Sequence, residues 1–129
     1  MPPVAVDERG TTLYKLLYNV RTQPIEFLGD SLDALQRFPR SARRNAGFEL
    51  DKVQRGLDPD DWKPMKTVGA GVNEIRVRDA AGAFRVIYVA CLADAIFVLH
   101  CFKKKSQRTP AGDIEVARGR YRQLIWRYR

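Results

Sequence analysis

The sequence predicts an α+β domain in which a helical hairpin and a C-terminal helix pack on a curved, mostly antiparallel sheet. Three observations predict it. Two helix-periodic segments flank Pro39; three strand-like runs between Val72 and Phe102 are joined by links too short for any but antiparallel neighbours; and a last helix-periodic segment closes the chain.

Taken in order, residues 1–12 combine two prolines after the initial methionine with mixed charge and no periodicity, and Leu13 to Val20 is apolar without an assignable element. Residues 1–23 are therefore read as an N-terminal extension and 24–129 as the domain. Ile25, Phe27 and Leu28 suit a short strand ending at Gly29. Asp30 and Ser31 are cap residues for a helix with Leu32, Leu35 and Phe38 at helical spacing, ended by Pro39. Ser41 is a cap for a second helix. Its Ala42, Ala46, Leu50, Val53 and Leu57 share one face, and Gly56 is the stop signal. Asp58 to Gly71 reads as a loop. Strands follow over Val72–Arg78, Phe84–Val89 and Ala95–Phe102, the first with Ile75 and Val77 facing in and Glu74, Arg76 and Arg78 facing out. A basic loop, Lys103 to Pro110, leads to a helix over Asp113–Trp126 with Ile114, Ala117, Tyr121, Leu124 and Ile125 inward and its basic residues on the remaining face.

The 129 residues carry 23 Lys+Arg against 15 Asp+Glu, a formal charge of +8, and 45% are hydrophobic. That suits one globular core and excludes a wholly disordered chain. No uncharged apolar run approaches the roughly 20 residues of a membrane span, no secretory signal is expected from the first 20 residues, and Cys91 and Cys101 make no disulfide framework. The expected compartment is the cytoplasm, and the two cysteines read as small buried side chains. Residues 100–129 hold nine basic and two acidic side chains, net +7, whereas the first 99 residues are net +1. Such a surface captures polyanions: RNA, DNA, an acidic membrane or an acidic protein. A basic, solvated helix is the plainer reading.

One histidine, two cysteines ten apart and no Asp/Glu/His cluster at ligand spacing leave no expected metal site, and no cofactor motif is present. Gly69-Ala70-Gly71 lacks the lysine and following helix of a phosphate loop and reads as a turn. What remains is cationic. Arg76, Arg85, Lys103 and Lys104 lie on or just after adjacent strands, and Lys63 and Lys66 flank the start of the sheet. Fixed cations aimed at one place hold a phosphodiester and stabilise the added charge of its pentacoordinate transition state. Arg85 has a second reading as an ion-pair partner of Asp79 or Asp94, and Arg76 as a surface charge beside Glu74. His100, on the face assigned to Ile96, Val98 and Phe102, reads either as a hydrogen-bonded structural group or as a proton carrier. Tyr88 reads as core, with Phe84 and Val86.

These residues also carry a resemblance. Asn73-Glu-Ile-Arg-Val-Arg, Gly82, Phe84-Arg-Val-Ile-Tyr-Val, Ala95-Ile-Phe-Val-Leu-His-Cys-Phe-Lys-Lys-Lys and Ala117-Arg-Gly-Arg-Tyr resemble the RelE/ParE toxin superfamily. With Leu35-Gln-Arg-Phe-Pro, Gly56 and Trp62-Lys-Pro-Met-Lys, the chain is more closely similar to the phage-derived, HigB-like host-killer branch, over roughly Ile25 to Leu124. The resemblance implies a small RelE-like fold and a cytoplasmic type II toxin that cleaves mRNA on the ribosome without a metal, by attack of the ribose 2′-hydroxyl on the adjacent phosphate. It implies a cognate antitoxin, often a helix-turn-helix protein, as partner. Arg76, Arg85 and a lysine of the Lys103-Lys104 pair match the family's phosphate-contacting cations. His100 joins them as a candidate acid or base, and Lys63, Lys66, Lys105, Arg108, Arg118 and Arg122 are candidate RNA contacts. The chain departs from RelE at Glu74, where RelE is basic, which leaves His100 or Glu74 as substitutes in its acid/base scheme. ParE-like members, which act on DNA gyrase, share the strand arginine and the Arg-x-x-Tyr pattern, so Arg76, Arg85 and Tyr88 fit either activity, and a phage-derived protein that keeps the fold for nucleic-acid or partner binding without catalysis is a third reading.

Overall fold

The computed structural model describes residues 22–105, 107–108 and 110–128, the Cys91 side chain excepted. The expectations for residues 1–21 and for Cys91 lie outside the described residues. The elements are β1 (Ile25–Phe27), α1 (Ser31–Gln36), α2 (Arg40–Gln54), β2 (Trp62–Pro64), β3 (Val72–Asp79), β4 (Gly82–Leu92), β5 (Ala95–Lys104) and α3 (Ala111–Arg127). The expected α+β architecture is present: three helices pack on an open five-stranded sheet of order β1-β5-β4-β3-β2, antiparallel except for the parallel β1–β5 pair. Among the described residues no helix is long and apolar enough to cross a membrane.

Both faces of the sheet are covered. On one, Leu35 and Phe38 with Ala42, Ala46, Leu50 and Val53 of α2 pack against Ile75, Val77, Phe84, Val86, Tyr88, Ile96 and Val98. Phe38 and Phe84 meet with ring centroids 4.7 Å apart. On the other, Ala117 and Leu124 of α3 lie against Val72, Ile87, Val89, Phe97, Leu99 and Phe102. Two-sided burial explains why β4 and β5 read as near-continuous apolar runs while β3 alternates.

The helix starts differ from expectation. Asp30 caps α1 by position but makes no side-chain cap bond, since its carboxylate is taken by Arg120. The buried Ser31 hydroxyl donates to the Val98 carbonyl at 3.2 Å. Helix α2 begins at Arg40 with Pro39 as its cap, and Ser41 donates to Asp79 at 2.5 Å. Gly56, at φ +81°, does stop α2, but Leu57 lies beyond it and is exposed, as is Leu32.

Strand β2 lies inside the segment read as a loop. Three residues ending in proline carry no periodicity, and proline is tolerated there because β2 is an edge strand. The β4–β5 turn places Ala93 and Asp94 both at φ +55°, the positive-φ pair of a two-residue hairpin link.

A β-bulge corrects the facing of His100. Ile87 pairs with His100 but Tyr88 pairs with Val98, so Leu99 is one residue too many. Ile96 and Val98 therefore face the hairpin, whereas His100 shares the α3 face with Phe102. Strict alternation cannot foresee that change of phase.

Candidate functional site

The α3 face of the sheet gathers the cations. In the β3–β4 register Arg76 stands directly opposite Arg85, and Lys63 of β2 opposite Glu74. Lys104 falls on this face two residues beyond Phe102, the partner of Arg85. At the centre is Glu74, 0% exposed. Its Oε1 lies 3.6 Å from Arg85 Nε and 3.8 Å from Arg76 Nε, the arginine side chains being 4% and 30% exposed. Glu74 was expected on an outward face. The alternation of β3 is as expected, but at Glu74 the supposed solvent side is occupied by Arg76, Arg85 and Lys63, and the inward signal was available only in the apolar residues of β4 and β5 on that same side.

Arg85 consequently pairs with Glu74, and with neither Asp79 nor Asp94, and donates from Nη1 to the Phe84 carbonyl at 3.0 Å. Burial lowers its pKa from the ordinary guanidinium value, Glu74 opposes that shift, and Arg76 and Arg78 reinforce it. Lys104 is lowered too, by desolvation first and then by Arg85, with Lys63 and Arg76 adding to it and Glu74 opposing. Desolvation leads both shifts, and the neighbouring cations add to it. Chemically, such a site receives an anion.

Lys103 is not part of this group. It projects to the opposite face, where its Nζ stands 5.9 Å from the Phe84 ring centroid. Of the lysine pair, alternation selects Lys104. An open groove of about 660 Å³ is lined by Arg78, Arg85, Lys104, Lys105 and Gln107, with Asp79 as its one acidic lining residue. A second hollow of about 610 Å³, lined by Lys63, Lys66, Arg108 and Ile114, meets it at Gln107. Through Gln107 the two make one basic track.

His100 sits beside this track as a strut. Nε2 lies 2.6 Å from Asp113 Oδ1 of α3, Nδ1 is buried without a hydrogen-bond partner, and the ring stacks on Phe102 at 5.3 Å. The side chain is only 12% exposed.

The Arg-Gly-Arg-Tyr segment works as a clasp. Arg118 donates from Nε and Nη2 to the Thr67 carbonyl at 3.1 and 2.6 Å. Arg120 reaches Leu99 O at 2.8 Å and Asp30 at 2.6 Å, and holds the Asp30 carboxyl below its ordinary pKa. Tyr121 donates to Ala70 O at 2.8 Å, its ring so close that a Cβ on Gly69 would lie 2.3 Å from it. Arg118 is thus engaged in structure, and Arg120 turns inward rather than joining an outer basic face. Arg122 is exposed and lines a different, apolar hollow with Tyr121, Ile125 and Trp126.

Residues 33–122 match the family model described as phage derived protein Gp49-like (DUF891). The chain belongs to this family. No curated protein matches it. The Gp49-like match runs from α1 into α3, and so takes in Glu74, the surrounding cations, the basic track and the clasp.

Proposed function

We propose that this Gp49-like protein is the toxin of a type II toxin–antitoxin pair and an endoribonuclease of the HigB-like branch that cleaves mRNA on the ribosome. The observation that carries the reading is the set of four cations, Lys63, Arg76, Arg85 and Lys104, around one buried carboxylate on an open basic track. In the proposed reaction the 2′-oxygen attacks the neighbouring phosphorus as its proton leaves, and the P–O5′ bond breaks. The leaving 5′-oxygen takes up one proton, balancing the one lost from the 2′-hydroxyl, and the products are a 2′,3′-cyclic phosphate and a 5′-hydroxyl. Arg76, Arg85 and Lys104 stabilise the charge that accumulates on the phosphoryl oxygens. Lys63, Lys66, Lys105 and Arg108 hold flanking phosphates. The protein acts in the cytoplasm and is held inactive by an antitoxin whose acidic segment complements the basic track.

The test is induced expression of the wild-type chain, with mapping of mRNA 5′ ends and of DNA breaks in the same cells. New 5′ ends within translated regions are expected. Intact transcripts accompanied by DNA breaks would replace this reading with a ParE-like gyrase poison.

A further inference from the structure

We propose that Glu74 is the positioning residue of this site: its buried carboxylate forms ion pairs with both Arg76 and Arg85 and keeps the two guanidinium groups together before a phosphodiester arrives. The inference rests on the phosphodiester reading above.

Arginines directly opposite each other on an antiparallel pair repel and, left alone, splay into solvent. Glu74 prevents this because one oxygen stands within 3.8 Å of both Nε atoms. Neither contact is close enough for a hydrogen bond, so the carboxylate acts by charge: it draws both guanidinium groups to one point, and the bond from Arg85 Nη1 to the Phe84 carbonyl at 3.0 Å sets the direction of the buried one. The carboxylate is 0% exposed and opposite Lys63, a placement that costs free energy unless its partners are held with it. It does not cancel the site's charge. Lys63, Arg76, Arg78, Arg85 and Lys104 against Glu74 and Asp61 leave a local net charge of +3. Glu74 thus supplies geometry at the cost of one unit of attraction. Its full burial between two arginines also separates it from a proton carrier, which must reach the reacting oxygen.

Charge and geometry predict opposite outcomes for Glu74→Gln. Removing a negative charge makes the site more positive, so attraction alone predicts tighter anion binding. Positioning predicts weaker binding, on the order of tenfold for inorganic pyrophosphate titrated into the full-length protein at fixed ionic strength. In the same sample, labelled with ¹⁵N, the Arg76 and Arg85 Nε–H protons are expected to exchange slowly with water in the wild type and at least roughly tenfold faster in the variant. Glu74→Asp keeps the charge but shortens the reach. It is expected to fall between the two, and it carries the test if Glu74→Gln does not fold. Tighter pyrophosphate binding by Glu74→Gln, or Nε–H exchange in the wild type as fast as at exposed arginines, overturns the proposal.

Where RNA cleavage is measurable, Glu74→Gln is expected to lower kcat by on the order of a hundredfold with the shape of the pH–rate profile retained. Loss of one limb of that profile would make Glu74 a proton carrier and overturn the positioning role. If the wild type cleaves no RNA, the endonuclease reading fails, while pyrophosphate binding and Nε–H exchange still decide the role of Glu74.

Discussion

Replacing Arg85 by alanine tests the electrostatic core of the molecule before any question of activity. The sequence alone suggests that this change removes a surface phosphate contact and no core volume. The structure places Arg85 at 4% exposure against a fully buried carboxylate, so the truncation strands Glu74. Breaking a buried pair by deleting one partner costs about 3–5 kcal/mol. Arg76, 3.8 Å from the same oxygen and 30% exposed, keeps part of the compensation, which puts the expected loss near ~3 kcal/mol. With an unfolding entropy of about 2.1 cal/mol/K per residue, that lowers the Tm of a 129-residue chain by roughly 10 °C. Calorimetry on Arg85→Ala, Glu74→Gln and the double variant completes the cycle. The double variant, with no stranded carboxylate, is expected to be more stable than the sum of the single losses by about 2 kcal/mol. A Tm within about 2 °C of wild type for Arg85→Ala, or strictly additive losses, would refute the buried-pair argument. It follows that loss of toxicity in Arg85→Ala does not by itself assign a phosphate contact; Arg76→Ala, at the more exposed cation, is the cleaner variant.

Three further outcomes are expected. His100→Gln breaks the strut to Asp113, costing about 1–2 kcal/mol, and leaves the cleavage rate per folded molecule within about twofold. A rate loss of about a hundredfold or more at unchanged Tm would make His100 the proton carrier. Gly69→Ala drives a methyl group into the Tyr121 ring and is expected to destabilise by about 1–3 kcal/mol, whereas Tyr121→Phe, which loses only the bond to Ala70, costs about 1 kcal/mol; equal Tm values for Gly69→Ala and wild type would contradict the clasp. Burial pushes the Cys101 thiol up to about 12, above the 9.0 of a free thiol. The folded state therefore favours the protonated form, and that contribution to stability is complete below about pH 9 and declines as pH rises toward 12. Peptide mapping after iodoacetamide treatment at pH 8 is expected to find Cys101 modified only under unfolding conditions; rapid modification of the native protein would contradict its burial.

Most of the fold was legible because periodicity is a local property. The α2 stripe of Ala42, Ala46, Leu50 and Val53, the Gly56 stop, the hairpin links and the inward residues Ala117 and Leu124 of α3 follow from spacing and backbone freedom alone. Strand β2 escaped because three edge residues leave no period to read. At the site, the shared face of Arg76 and Arg85 followed from alternation. The facing of His100 failed at the bulge, though its reading as a hydrogen-bonded group agrees with the Asp113 contact, and the facing of Glu74 failed because a charged residue on an alternating strand looks solvated until neighbouring strands bring their cations over it.

The sequence by itself determined the element types apart from β2, most of the core, the family to which the chain belongs and the excess of cations in its last 30 residues. These depend on neighbours a few positions away. Only the tertiary structure decided that Glu74 is buried between two arginines, that Lys104 rather than Lys103 joins them, that His100 braces α3, and that Arg118 and Arg120 serve as clasp residues. Each of those decisions turns on strand register, on one extra residue in a ladder, or on which sheet face α3 covers. The free energy of a charge depends on what surrounds it in space, and residues far apart in the chain supply most of those surroundings.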